Sequence, residues 1–282
     1  MMTRPKVSIV MPTWNRAHLL GRAIESVRTQ SFKDWELIIT DDGSTDNTPQ
    51  VVEAWKKRAL PAGRQARIVY VRSEINQGPS RNYNQGFRLA KGEYVAVHDD
   101  DDLWCDPRKL EKQVTFLDKN REYVACGGGV IVRDKSGREL YRFLKPETDG
   151  QIRAHMLFSN PMANSTTVFR KTVGEAVGWY DDSIRYNSDR DFWLKLGLRG
   201  KLYNFPEYFG YYTMSGENIS MVKMREHFKI ALMVMKRYRK DYPHYLPALI
   251  FNWVQYLYSF VPSFIERPIH YLAARLKRLL VK

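Results

Sequence analysis

The stretch YVAVHDDDDLW, Tyr94 to Trp104, decides how the rest of the chain is read. Four residues without charge give way to Asp99, Asp100, Asp101 and Asp102 in an unbroken row. The apolar run reads as a strand buried on both faces, as parallel strands are, and the row stands at its carboxyl end. Open α/β sheets collect their ligands at that end. Two carboxylates about 4 Å apart repel by roughly 4 kcal/mol at an effective dielectric of 20, so a row of four needs a counter-charge. A divalent cation supplies one, and oxygen-only donors point to Mg²⁺ or Mn²⁺. The plainer alternative is a solvated acidic turn ahead of the helix that begins near Pro107.

Working outward, three more runs resemble Tyr94–His98: VSIVM (Val7–Met11), WELIIT (Trp35–Thr40) and RIVYV (Arg67–Val71). Between them the pattern predicts helices over Ala17–Thr29, Thr48–Lys57 and Pro79–Ala90, with a fourth over Pro107–Lys119. Strand–helix alternation predicts a mostly parallel, doubly wound α/β sheet with helices on both faces. Later, YVACGGGVIV reads as a strand whose glycine run lets another group approach the backbone. REL…YRFL suits its hairpin partner, and helices are expected at Ile152–Phe158, Asp189–Arg199 and Met221–Arg239.

The other strand ends also carry polar groups. The first has Thr13, Trp14 and Asn15, with an aromatic able to stack on a base. The second has Asp41 and Asp42 in a turn, where a carboxylate accepts from a base N–H or a ribose hydroxyl. Arg81 opens the third helix, placed for an anion or for the acidic row. Each has an ordinary reading, Asp42 as a turn residue and Arg81 as a surface charge, yet all converge on one sheet edge. No G-x-G-x-x-G follows the first strand and no G-x-x-x-x-G-K-[ST] occurs, which disfavours dinucleotide and P-loop folds.

Forty-five Lys/Arg stand against 31 Asp/Glu, a net charge of +14. From Lys201 onward the count is 13 against 5, so +8 lies in the last third. Nucleic acid, anionic lipid and anionic substrates are all compatible partners for such a balance. Two cysteines, Cys105 and Cys126, make neither a disulfide scaffold nor a zinc site. With no apolar leader ahead of the first strand, the expectation is a cytoplasmic protein. Leu246 to Ile265 runs twenty residues without a charge but holds two prolines and several aromatics. That composition suits an interfacial or docking element better than ordinary core packing or a membrane span. HYLAARLKRLLVK then closes the chain as a basic amphipathic helix.

Taken together, VSIVMPTWNRAHLLGRAIESVRTQSFKDWELIITDDGSTDNT and GPSRNYNQGFRLAKGEYVAVHDDDDLWCDPRKLEKQ resemble the inverting family 2 glycosyltransferases of GT-A fold. GWYDDSIRYNSDRDFWLKLGLRG resembles that family's acceptor-side segment, and the likeness covers about Lys6 to Tyr212. It implies a GT-A domain over about 1–215, with a nucleotide-binding half to about 120, an acceptor-side half beyond, and a helical basic-aromatic extension over 216–282. Pro12, Thr13 and Asn15 would line the nucleotide pocket, Asp42 would contact the base, and Arg81 would sit beside the phosphates. Asp99 and Asp101 would be the ends of an Asp-x-Asp motif holding Mn²⁺ or Mg²⁺, with Asp101 the more direct ligand. Asp100, also a cofactor-binding candidate, and Asp102 flank them, and the choice of pair stays open by one position.

The resemblance makes Asp189 the catalytic base, although from the residues alone a carboxylate there reads as a helix cap. Asp191 is the reserve, and Ser188 stands where the family often has Glu. His227 reads either as a third metal ligand or as a solvated helix histidine. Trp104, Trp179 and Tyr180 are candidate sugar platforms, whereas Phe192 and Trp193 read as core. The implied activity moves a sugar from a nucleotide diphosphate, UDP favoured, to a glycan or lipid-linked hydroxyl in polysaccharide or cell-envelope synthesis. That places the protein at the cytoplasmic face of a membrane with peripheral contact through its tail, and without a nucleic-acid partner. Competing readings are a sugar nucleotidyltransferase or a non-catalytic nucleotide- or nucleic-acid-binding protein.

Overall fold

The computed structural model describes residues 4–58, 67–214, 218 and 222–260. The four apolar runs form β1 (Val7–Thr13), β2 (Trp35–Asp41), β3 (Ile68–Arg72) and β4 (Tyr94–Val97). They pair in parallel in the order β3-β2-β1-β4, with Val7 opposite both Trp35 and Tyr94. Between them run α1 (Ala17–Arg28), α2 (Thr48–Lys56) and α3 (Pro79–Leu89). Then follow β5 (Leu103–Trp104), α4 (Lys109–Lys119), β6 (Tyr123–Asp134), β7 (Glu139–Phe143) and α5 (Asp149–His155). The remaining described elements are a 3₁₀ turn (Asn164–Thr166), β8 (Val168–Arg170), α6 (Lys171–Ala176), α7 (Ser188–Gly197), β9 (Lys201–Met214), α8 (Met224–Arg237) and α9 (Tyr245–Tyr258).

Beyond β4 the sheet changes character. β8 is antiparallel to β4 and to β6, β9 is parallel to β6, and β5 closes the far edge antiparallel to β9. The parallel half is thus continued into a mixed sheet of nine strands, with β7 paired to β6 alone. Alternation within β1 shows how it is sandwiched. Ile9 and Met11 pack with Leu20, Ile24 and Val27 of α1, while Val10 joins Phe87 of α3 on the other face. α3 comes so close to the sheet that a Cβ on Gly86 would lie 2.4 Å from Val10 Cγ1.

The glycine run behaves as its sequence implies. A Cβ on Gly127 would meet Asn204 Oδ1 at 2.7 Å, and one on Gly128 the Phe209 ring at 2.5 Å. Any side chain there would displace β9. The predicted hairpin of β6 and β7 forms, with a register shift at Val132/Arg133. Of the uncharged tail, the part through Phe260 is described and contains α9. No helix among the described residues is long and apolar enough to cross a membrane. The closing basic helix expected near the C-terminus lies outside the described residues.

Candidate active site

The carboxyl ends of β1, β2 and β4 open onto one cleft of about 600 Å³, whose far wall comes from β6, β7, β9 and the start of α7. Pro12, Thr13, Asp42, the row Asp99 to Asp102 and Asp189 all line it. Trp14, half exposed, lies at the same edge.

The row is strained by charge. Burial raises Asp99 to about 7, helped by Asp101 and opposed by the Ser165 hydroxyl. Burial and Asp101 likewise raise Asp100 to about 6 against the pull of Arg16, and burial pushes Asp102 well above the carboxylate range. What neutralises the row within the chain is Arg16, whose Nη1 lies 2.8 Å from Asp100 Oδ1 and 2.7 Å from Asp101 Oδ2. Burial alone would lower that guanidinium, but Asp100 and Asp101 leave it raised on balance. Asp99 is steered by neutral donors. Ser165 Oγ donates to it at 2.7 Å and the Tyr83 hydroxyl donates from α3. Tyr83 accepts in turn from Asn164 Nδ2 at 3.0 Å, and Asn164 Oδ1 accepts from Tyr180 OH at 2.9 Å.

Asp189 sits in the first turn of α7, after Asn187 in the left-handed region at φ 60°. Burial raises its pKa, while His227, the Arg190 backbone N–H and Asn160 pull the other way. Asn160 Nδ2 donates to Asp189 Oδ2. Asn160 is held by Lys145, whose Nζ donates to its carbonyl at 2.9 Å. Ser188, the departure from the family pattern, is buried and accepts from Ser80 Oγ at 2.9 Å, fastening α7 to the start of α3.

Several expectations need correction. Asn15 spends its side chain outside the cleft, where its Oδ1 accepts from Thr45 N at 2.7 Å, locking the β1 end to the turn after β2. Arg81 does not join the acidic row. It is exposed on α3 beside a second, smaller cavity with Gln85, Arg88 and Asp182. The cations lining the main cleft include Arg16, Lys145 and Arg185. Asp42 faces the cleft but already accepts from Gln77 N and Gly78 N, each at 2.8 Å, so it also shapes the loop into α3.

Asp191 points away from the cleft and is gripped by Arg237, Lys195 and Tyr238. Trp104 and Trp179 are core. Trp104 stacks on His98 at 4.6 Å, and Trp179 stacks on Phe87 at 5.4 Å. Tyr180 does line the cleft, and so does His227 of α8, whose pKa burial lowers while Asp189 raises it. Phe192 and Trp193 are core as read. Reading the sequence did not single out Arg16, Tyr83, Asn160, Asn164 or Ser165. Short polar residues in SNPMANSTT form no motif, and one arginine after Asn15 looks like any surface cation.

A divalent cation fits this donor set. The donors are hard oxygens, and Asp100 Oδ2 and Asp102 Oδ1 are buried with no partner at hydrogen-bonding geometry. Among the described residues no three His, Cys, Asp or Glu make a ready-made metal cluster. Magnesium-type sites ask for one or two carboxylates and complete their shell with substrate phosphate and water.

Residues 8–182 match the family model "Glycosyl transferase family 2". The chain belongs to glycosyltransferase family 2. Among family 2 relatives, the putative glycosyltransferase EpsE of Bacillus subtilis is 34% identical over 212 residues, covering 73% of this chain and 72% of that protein. A GalNAc(5)-diNAcBac-PP-undecaprenol β-1,3-glucosyltransferase of Campylobacter jejuni is 28% identical over 232 residues, 81% of this chain and 71% of the other. The fold is similar to that of TarS of S. aureus in complex with UDP-GlcNAc (TM-score 0.66, 20% identity, covering 90% of this chain and 73% of that one). It is also similar to the mannosyltransferase PcManGT of Pyrobaculum calidifontis in complex with GDP-Man and Mn²⁺ (TM-score 0.65, 18% identity, 98% and 81%). Family 2 membership sets the chain among glycosyltransferases, as the resemblance implied, and not among sugar nucleotidyltransferases.

Proposed function

We propose that the protein is an inverting glycosyltransferase that uses a nucleotide-diphosphate sugar, UDP-linked by preference, and a divalent cation. One observation carries the reading. Asp189, with its pKa raised by burial, shares a single cleft with the Asp99–Asp102 row and the nucleotide-facing edge of Pro12, Thr13 and Asp42. Asp99 and Asp101 would hold Mn²⁺ or Mg²⁺, which when bound offsets the charge of the departing diphosphate.

Asp189 then acts as general base. A carboxylate oxygen takes the proton of an acceptor hydroxyl, the hydroxyl oxygen forms its bond to the anomeric carbon, and the bond from that carbon to the phosphate oxygen breaks. Attack from the face opposite the leaving group inverts the configuration. Burial makes the carboxylate a stronger base, and the hydrogen bond from Asn160 favours its ionised form. Asn160 and Lys145 hold the base, and Tyr83 and Ser165 hold Asp99, so both ends of the reaction are fixed by the chain itself.

The acceptor is a hydroxyl of a glycan or lipid-linked glycan in polysaccharide or cell-envelope synthesis, met at the cytoplasmic face of a membrane. The Campylobacter relative, whose name specifies an undecaprenol-linked glycan, supports that choice. The test is to incubate the protein with nucleotide sugars and Mn²⁺ and to follow the products. Release of a nucleoside diphosphate with an inverted glycosidic linkage by NMR is expected. Release of pyrophosphate, or retention of configuration, would refute it.

A further inference from the structure

The outer face of α9 has no charged side chain to show to water. From Tyr245 to Tyr258 the helix contains none at all. Ala248 and Asn252, four apart, are buried on its inner face. Arg190 Nη1 donates to Asn252 Oδ1 at 3.2 Å, and Asn252 Nδ2 donates to Leu157 O at 3.0 Å. The opposite stripe, Leu246, Ile250, Trp253, Val254 and Leu257, is 47–69% exposed, and Phe260 continues it at 50%. Residues at i, i+4, i+7, i+8 and i+11 share one side of a helix, so these are a continuous apolar surface. Patches of that kind mark interaction sites.

Three observations choose the occupant. The neighbouring α8 and the turn after it are strongly basic: from Lys223 to Lys240 seven Lys/Arg stand against Glu226 alone. Lys223, Arg225, Lys229, Lys236, Arg239 and Lys240 are exposed, and Arg225 reaches the patch itself, its guanidinium 4.1 Å from the centre of the Phe260 ring. A second copy of this chain would set two such basic rims against each other, whereas an anionic surface complements them. Finally, fourteen residues span about 21 Å, short of the ~30 Å hydrocarbon core, so the helix can lie along a bilayer but not across it.

We propose that the outer face of α9, rimmed by the cations of α8, docks onto an anionic lipid bilayer with the helix lying flat in the headgroup–acyl boundary. Adhesion through this face does not depend on the transfer chemistry.

The test uses the full chain with phosphatidylcholine vesicles, with and without phosphatidylglycerol, in sedimentation assays. Binding to the anionic vesicles is expected, at least about tenfold weaker to the neutral ones and falling steeply from about 0.1 M to about 0.5 M NaCl. The double variant Ile250→Asp, Leu257→Asp should lose at least about tenfold in vesicle affinity while unfolding at the wild-type temperature. Turnover of a nucleotide sugar in vesicle-free buffer, measured in parallel, should be unchanged. Equal vesicle binding by variant and wild type would overturn the proposal, as would equal binding to neutral and anionic vesicles, or no binding by the full chain. Light scattering that shows a dimer in the wild type and a monomer in the variant would assign the face to a second copy instead.

Discussion

Arg16 Nη1 lies 2.8 Å from Asp100 Oδ1, and the same nitrogen reaches Asp101, so a single guanidinium of the chain stands where a dication would be needed. Substituting Arg16→Met leaves a buried row with no internal counter-charge. Without metal, the variant should be less stable by about 1–3 kcal/mol at pH 8, discounted from a fully buried pair because Arg16 is one quarter exposed. Adding Mn²⁺ should narrow that gap. Urea unfolding with and without Mn²⁺ measures both, and a gap indifferent to the cation would break the link between Arg16 and the metal.

Asp189→Asn should reduce transfer at least ~10³-fold while nucleotide affinity stays within about twofold, as for loss of a general base. Asn160→Ala acts on the same carboxyl. Its donor favours the ionised form, so removing it raises the pKa further, and the acid limb of kcat/KM should move to higher pH. A pH–rate profile unchanged in Asn160→Ala would detach Asn160 from the base.

Asp191, two residues on, belongs to the scaffold. It holds Arg237 at 2.9 Å, Tyr238 OH at 2.9 Å and Lys195 at 3.3 Å, joining α7 to α8. Asp191→Ala should cost about 1–3 kcal/mol in chemical denaturation, less than loss of a fully buried pair because the Arg237 side chain is 41% exposed. Nucleotide affinity should survive below the transition. Normal stability with lost activity would reverse the roles of the two aspartates.

His98, directly before the acidic row, is fully buried against Trp104, and burial with Lys109 nearby depresses it to about 3 from 6.5. Because the folded pKa is the lower one, its contribution is complete above 6.5 and is lost as pH falls toward about 3. That amounts to roughly 5 kcal/mol at about 1.4 kcal/mol per unit. Denaturation of wild type and His98→Gln across this range should show the loss in the wild type only. Parallel curves would refute it.

The parallel half was legible because buried strands spell themselves out: VSIVM and YVAV admit little else. β5 escaped notice since two residues carry no pattern, and β9 since KLYNFPEYFGYYTM mixes aromatics with proline and never alternates cleanly. The four aspartates were visible as a row, yet the groups that orient them were not. Tyr83 and Asn164 become neighbours of Asp99 only once α3 packs against β1 and β2 and the 3₁₀ turn against β4, a long-range event that local sequence does not encode. Asp189 owed its reading to likeness; its own surroundings in sequence suit a cap.

Asn252 is bonded to Arg190, and Arg190 follows Asp189 in the chain. If α9 docks as proposed, this attachment would set the height of Asp189, the proposed base, above the docking plane. Acceptors whose reactive hydroxyl projects to that height would be reached, and shorter or longer stems would pass it by.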